Sequence, residues 1–265
     1  MCSTSKEGGE KLKLSLSNGI FSAYPLAENI AAVSRLGFEN LEFNMKCVKE
    51  EDEEAVYLAK KHIEAHGLSC LTLHAATLPV TNENEIAKAI YYGRVSADFA
   101  HKLSAPVMVV HSNISRELPL NLRIKFLTRI FGELKPHARQ LGLKLALENL
   151  SYKSRSYGEN VAEIEELLGI LKDDDMGITI DYCHAETTRQ TLSMLKKYNK
   201  KLLNVHISNK KHQPFDAETP ALKAFLNMLL EYGYNGPLTI ELNQECTTRQ
   251  ISKTKIILEK FLGRL

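Results

Sequence analysis

The sequence predicts an α/β fold, a single-domain (β/α)8 TIM barrel, on three observations. Short β-like runs alternate with long amphipathic stretches through eight consecutive units. The β-like runs are rich in Leu, Val and Ile, as strands of a parallel sheet covered by helices must be. The chain has 265 residues, close to the ~250 that such a barrel uses. No Pro/Gly-rich linker or charge block divides the units. The expected organisation is therefore a flexible tail over residues 1–11 and one barrel domain over 12–265.

The elements follow in order. The expected strands are LKLSLS (12–17), NLEFNM (40–45), SCLTLHA (69–75), PVMVVHS (106–112), LKLALEN (143–149), MGITID (176–181), LLNVHIS (202–208) and PLTIEL (237–242). Helical patterns follow each of them, over 25–36, 50–66, 83–103, 119–141, 159–171, 185–199, 218–232 and 247–262. Glycines in RLGFENLEF, AHGLSCLTL and QLGLKLALE mark helix ends that can adopt the left-handed cap before the next strand. Pro106 and Pro237 open strands, where proline is tolerated. An open doubly wound sheet is the alternative architecture. It calls for a glycine-rich phosphate turn after the first strand, and SNGIFSAYP is not one.

The bulk properties exclude several classes. Hydrophobic residues make up 44% and charged residues 25%, as in ordinary globular proteins. A formal net charge of +2 does not by itself imply a polyanion partner. The five cysteines are odd in number and include no CxxC pair, which argues against a disulfide framework or a zinc ribbon and makes the cytoplasm the expected location. The start, MCSTSKEGGEK, lacks the apolar segment of a secretory signal, and APVMVV is too short to span a bilayer, so no membrane partner is expected.

Ionisable residues collect at the carboxyl ends of the strands: His74, His111, Glu148, Asp181, His206 and Glu241. In a closed barrel these ends meet at one mouth, where active sites of this fold lie. Alternation supports a lumenal orientation, since Thr72, Ala146, Thr179 and Thr239 share parity with His74, Glu148, Asp181 and Glu241. The opposite parity carries Leu145, Leu147, Ile178, Ile180, Leu238 and Ile240. Of nine histidines, His62, His66, His101 and His137 fall in helices and read as solvated or partly packed. His184 and His212 join the strand-end group from the loops that follow.

Three carboxylates and several imidazoles in one cavity repel or shift their pKa values unless a cation neutralises them. Mixed oxygen and nitrogen donors suit Mn2+, Co2+, Zn2+ or Fe2+ better than Ca2+. A divalent metal ion is therefore expected, and it answers why LKLALENLS ends a buried strand on the acid Glu148. The alternative is a salt-bridge network with Lys or Arg, for which Lys144, about four residues down the strand, is a poor partner. Cys183 is expected to be a small buried residue facing away from the lumen.

LALENL, TIDYCHA, NVHIS and PLTIEL, in that order on strands five to eight, resemble the xylose-isomerase-like barrels. The similarity runs over about residues 12–262. That superfamily includes ketose 3-epimerases, hydroxypyruvate isomerase, inosose-processing enzymes and the abasic-site nuclease endonuclease IV. In its epimerase-type members, the resemblance implies, Glu148, Asp181, His206 and Glu241 hold one divalent metal, Glu148 and Glu241 move protons, and His184 contacts substrate. The reaction implied is isomerisation or epimerisation of a small sugar or polyol-derived ketone through an enediolate, with dehydration as a variant of the same first step.

The nuclease alternative implies three zinc ions and a nucleic-acid partner. Its first set would be His74, His111 and Glu148, and its second Glu148, Asp181, His206 and Glu241. Its third needs His184 and an Asp-x-His pair, but the segment reads SNKKHQPFD, with Lys210 where the aspartate should be if His212 is the pair's histidine. Asp216 could substitute only through a rearranged loop. The aromatic wedge of the nuclease is missing too, because AATLP follows His74. A basic rim from Lys46, Lys49, Lys153, Arg155, Lys210 and Lys211 is interrupted by acids.

Lys210 and Arg155 are the expected anion contacts for a sugar-derived substrate, with His184 and His212 beside them. Loop LSYKSRSYG (150–158) could close over a sugar through Tyr152 and Tyr157, or be a flexible polar loop. Lys210 could equally be a solvent-exposed loop lysine. Glu42 and Asn44 are expected behind the ligands rather than among them. A third possibility is a catalytically silent barrel that only binds a ligand. Barrels of this type often pair through outer helices, so a homo-oligomer is compatible with the sequence.

Overall fold

Alternating apolar strands and amphipathic helices close on themselves in the computed structural model, which describes residues 12–48, 53–172 and 176–263. The strands are β1 (Lys13–Ser17), β2 (Asn40–Asn44), β3 (Ser69–His74), β4 (Val107–Val110), β5 (Lys144–Glu148), β6 (Gly177–Asp181), β7 (Leu202–Ile207) and β8 (Pro237–Ile240). All pair in parallel, each with its sequence neighbours, and β8 pairs with β1 to seal the barrel. The expected tail, residues 1–11, lies outside the described residues, as does Lys49.

Around the barrel lie α1 (Leu26–Arg35), α2 (Glu53–Ala65), α3 (Ile86–Lys102), α4 (Leu120–Gln140), α5 (Val161–Leu171), α6 (Tyr182–Thr187), α7 (Thr191–Tyr198), α8 (Pro220–Glu231) and α9 (Thr248–Phe261). Gly67 and Gly142 carry the expected left-handed caps at φ +61° and +70°. The sixth helical pattern, expected as one helix over 185–199, is instead α6 and α7. Asp181 starts α6 directly after β6, its carboxylate accepting from His184 N at 2.7 Å. Arg189, at φ 57°, then ends it, with Gln190 N donating to Ala185 O at 3.0 Å and Arg189 N to Glu186 O at 3.2 Å.

The aliphatic parity of each strand joins the core between sheet and helices: Leu14, Leu16, Leu41, Phe43, Leu145, Leu147, Ile178, Ile180, Leu238 and Ile240 are all buried there. The other parity fills the lumen, and apart from Val107, Val109 and Ala146 on β4 and β5 it is largely polar. Glu42 on β2 accepts from Thr72 Oγ1 on β3 (2.9 Å) and, across the lumen, from Asn204 Nδ2 on β7 (3.3 Å). Thr239 on β8 donates to Asn204 Oδ1 at 3.1 Å. Barrels of this class ordinarily pack the lumen with branched aliphatics. Here hydrogen-bonded side chains support the mouth from below. Among the described residues no helix is long and apolar enough to cross a membrane.

Candidate metal centre

Each strand end delivers its ionisable side chain to the mouth. Glu148, at the end of β5, is 1% exposed. Its Oε1 lies 3.1 Å from His206 Nδ1, and its Oε2 lies 3.1 Å from His111 Nε2 and 3.3 Å from His74 Nε2. Its charge partners among the described residues are imidazoles, not lysine or arginine. His206 Nδ1 also approaches Glu241 Oε2 at 3.2 Å.

Asn149 clamps the next strand. Its Oδ1 accepts from Asp181 N at 2.8 Å and its Nδ2 donates to Asp181 O at 3.2 Å. A carboxylate followed by asparagine at the end of β5 thus places one ligand candidate directly and fixes the backbone of another. His184 Nδ1 donates to Asn149 O at 2.9 Å, which leaves its Nε2 facing His212 Nε2 at 3.1 Å. His212 Nδ1 in turn lies 3.3 Å from the carbonyl oxygen of Glu241. Two imidazole nitrogens thus face each other beside Asp181, a geometry suited to sharing a cation.

Four overlapping donor sets result, each with ligand atoms within 4.8 Å of one another: Glu148–Asp181–His206–Glu241, His74–His111–Glu148, His74–His206–Glu241 and Asp181–His184–His212. The electrostatics show what these sets lack. Burial raises the Asp181 carboxyl, and Glu148 and Glu241 add to this against the opposing pull of His184 and His212. Asp181 Oδ2 is fully buried and has no hydrogen-bond partner. An orphaned carboxylate oxygen among mixed N and O donors is what a divalent ion would satisfy, so the residues fit the expected metal.

The imidazoles substitute for that charge when no ion is bound. Burial lowers His74, but the Glu148 carboxylate outweighs it and pushes the ring up to about 9. Burial likewise opposes charge on His206, yet Glu42, Glu148 and Glu241 raise it well above its ordinary value. Glu148 and Glu241 are both pushed up by burial and then held well below the usual carboxylate range, chiefly by His206.

Glu42 is the residue that strand-end reasoning undervalued. It is fully buried in the lumen, and its Oε2 accepts from His206 Nε2 at 2.8 Å. This fixes the ring so that Nδ1 faces the carboxylates. The available signal was an acid inside the apolar strand NLEFN, on the lumenal parity.

The mouth opens into a cavity of about 440 Å3 lined by His74, His111, Glu148, His184, His212 and Glu241 with Lys46 and Asn44. Lys210 and Arg155 are not brought there: both are exposed, and neither lines the cavity. Asp216 pairs instead with Lys253 on α9 at 2.9 Å. Tyr157 turns away from the mouth, its ring under Arg123 (4.2 Å) and its hydroxyl donating to Glu166 at 2.9 Å. Tyr152 is exposed beneath Lys153. Cys183 is buried.

The sequence profile of the xylose isomerase-like TIM barrels matches residues 30–259, and the chain belongs to that family. An uncharacterised protein of Methanocaldococcus jannaschii is 29% identical over 183 residues, 64% of this chain and 60% of that protein. The chain thus aligns with less than two thirds of that relative. Among solved structures, a D-tagatose 3-epimerase-like protein superposes with a TM-score of 0.81 at 22% identity, covering 95% of this chain and 97% of the other. An L-ribulose 3-epimerase gives 0.80 at 14%, with 95% of both chains covered. A D-allulose 3-epimerase from Methylomonas sp. gives 0.79 at 15%, covering 95% and 98%. At these identities the structures share the fold.

Proposed function

We propose that the protein is a divalent-metal-dependent isomerase or epimerase of a small sugar or polyol-derived ketone. The observation that carries this is the Glu148–Asp181–His206–Glu241 set, with donor atoms within 4.8 Å, at the base of a sugar-sized cavity. The shared fold with sugar epimerases supports it. Those four residues would hold Mn2+, Co2+, Zn2+ or Fe2+, and such an ion, when bound, polarises the ketone and balances the negative charge that develops on its oxygen.

The remaining chemistry belongs to side chains. One of Glu148 and Glu241, as its carboxylate, takes the proton from the carbon beside the carbonyl. The electron pair moves onto the carbonyl oxygen to give an enediolate. The other glutamate relays a proton taken up from solvent to the opposite face for epimerisation or to the neighbouring carbon for isomerisation, and the first releases its proton to solvent. Acid/base help of this type is worth ~10²–10⁴ in rate. His206, steadied by Glu42, keeps both carboxylates in position. His184 and His212 face the cavity as hydrogen-bonding contacts for substrate hydroxyls.

The test combines metal analysis with exchange. Metal-loaded protein is incubated in D2O with a panel of ketoses and inososes. The expected result is about one ion per chain, solvent deuterium on the carbon next to the carbonyl, and a new epimer or isomer. No exchange on any panel member would overturn the proposal.

A second reading, an abasic-site nuclease with two or three zinc ions, is favoured by two observations: the His74–His111–Glu148 set is complete, and Asp181, His184 and His212 form a further donor set. Lys210 in place of a ligand aspartate and the outward pairing of Asp216 count against its third ion. About three zinc ions per chain, with chelator-sensitive nicking of an abasic duplex, would reverse the order of the two readings.

A further inference from the structure

The cavity at the mouth has a single Lys or Arg among its lining residues, Lys46. It stands in the 3-10 turn Met45–Cys47 directly after β2. Among the described residues no carboxylate pairs with its ammonium. What positions it comes from a different strand.

Gly19 lies in the short 3-10 turn Asn18–Phe21 that follows β1. Its φ is not in the left-handed region, so the backbone there does not call for glycine. The missing side chain matters instead. A Cβ on Gly19 would meet Lys46 Cε at 2.5 Å and Nζ at 2.9 Å. The lysine stem therefore lies along bare backbone, and Lys46, though exposed, has its charged end at the rim of the cavity.

Asn44 completes the arrangement. Its Oδ1 accepts from Lys46 N at 3.1 Å, so the amide's donor end, Nδ2, is the one left over. That Nδ2 lies 3.1 Å from the same point beside Gly19. An ammonium and an amide N–H2 thus sit together on the β1–β2 side of the mouth. A lysine without an ion-pair partner, held beside a second donor, is a recognition point for an anion.

We propose that Lys46, seated on Gly19 and flanked by Asn44 Nδ2, grips a terminal anionic group of the substrate, a phosphate or a carboxylate. The substrate class is then an acidic sugar ketone rather than a neutral one. This rests on the isomerase or epimerase reading above.

The test compares neutral ketopentoses and ketohexoses with their terminal phosphates and with the matching keto-uronates. Metal-loaded protein, Lys46→Met and Gly19→Ala are assayed for kcat/KM, and binding of the same compounds is measured by calorimetry. The wild type should favour one anionic series over the neutral one, and the favoured arm identifies phosphate or carboxylate. In Lys46→Met that anionic-to-neutral ratio should fall about tenfold to a hundredfold, mostly through KM, as expected for a lost charged hydrogen bond. Gly19→Ala keeps the charge but displaces the ammonium, so it should lower the ratio in the same direction even if Lys46→Met folds poorly. Turnover of neutral ketoses as efficient as that of both anionic series overturns the Lys46 assignment and leaves the proposed function standing. So does an anionic preference that neither variant reduces. If no ketose turns over, the proposed function fails, and the calorimetric ratio alone decides for or against Lys46.

Discussion

The ends of β5, β6 and β8 bring Glu148, Asp181 and Glu241 to the mouth, whereas β3 and β4 bring His74 and His111, and the turn after β2 brings Lys46. The β5–β8 side of the rim carries the carboxylates, interleaved with His184, His206 and His212, whereas the β2–β4 side presents nitrogen groups and no carboxylate to the cavity. The acids come from strands whose lumenal neighbours, Ala146, Thr179 and Thr239, are small and hydrogen-bond little or only locally. The nitrogen side rests on a longer-range network, in which Glu42 reaches across the lumen to His206 and Asn204. The difference separates two tasks: the β5–β8 half holds the mixed oxygen and nitrogen donors for a cation, and the β2–β4 half sets the orientation and charge of what meets it.

The largest expected effect breaks the acidic half. Glu148→Gln and Glu241→Gln keep the shape of each side chain but remove its basicity and its charge toward a metal. Each should lower kcat by ~10³-fold or more, combining acid/base loss with weakened charge stabilisation. Retained turnover in the double variant would refute their assignment. The readout is kcat at saturating metal, with bound metal measured in the same samples.

A smaller effect sharpens the contrast from the other half. Glu42 touches no substrate-accessible space, yet it holds His206 Nε2 at 2.8 Å. A carboxylate behind a ligand histidine fixes its tautomer and raises its basicity, and losing such a partner costs ~10–100-fold in metal affinity or activity. Glu42→Gln can still accept the bond but without the charge. It should weaken metal binding, measured by chelator competition, while the melting curve of the metal-free protein moves much less. Unchanged metal affinity would reduce Glu42 to lumen packing.

The sequence made the barrel and the strand-end cluster readable for the same reason. A period of two within strands and helical stretches between them are local, and parity assigns a face without knowledge of the fold. Glu148, Asp181, His206 and Glu241 were visible because each interrupts an aliphatic strand. The break between α6 and α7 was not, since Arg189 takes the left-handed cap that a glycine would have advertised. The choice of lysine was not readable either. Lys46 and Lys210 both follow strands and both are exposed, and only Lys46, seated on Gly19 from another βα unit, lines the cavity. For Tyr157, in the loop after β5, closure over a sugar and a flexible polar loop were both open; its ring is claimed by Arg123 and Glu166, on two helices.

That loop supplies the smallest prediction and a comparison within the acidic side of the rim. Segment 150–158 is pinned rather than free. Arg116, just before α4, makes two bonds to Glu163 at 2.6 and 3.0 Å and an ion pair with Glu159 at 3.0 Å. Glu163 also accepts from the backbone N–H of Gly158 and Glu159 at 2.8 and 2.9 Å, which ties the loop's end to the start of α5. Burial pushes the Glu163 carboxyl up, but Arg116 and those two amides outweigh it, so its folded pKa is lowered. A lowered carboxylate stabilises the fold at pH above its unfolded pKa, and that contribution is lost as pH falls through the folded value. Arg116→Met should therefore destabilise the protein by about 2 kcal/mol near neutral pH, the scale of a charged hydrogen bond at a partly exposed site. The gap from wild type should shrink as the medium is acidified into the carboxylate range, because the wild type loses the clamp too. Denaturant melts at two pH values check both statements, and a gap that grows on acidification would show that the clamp is not what holds the loop.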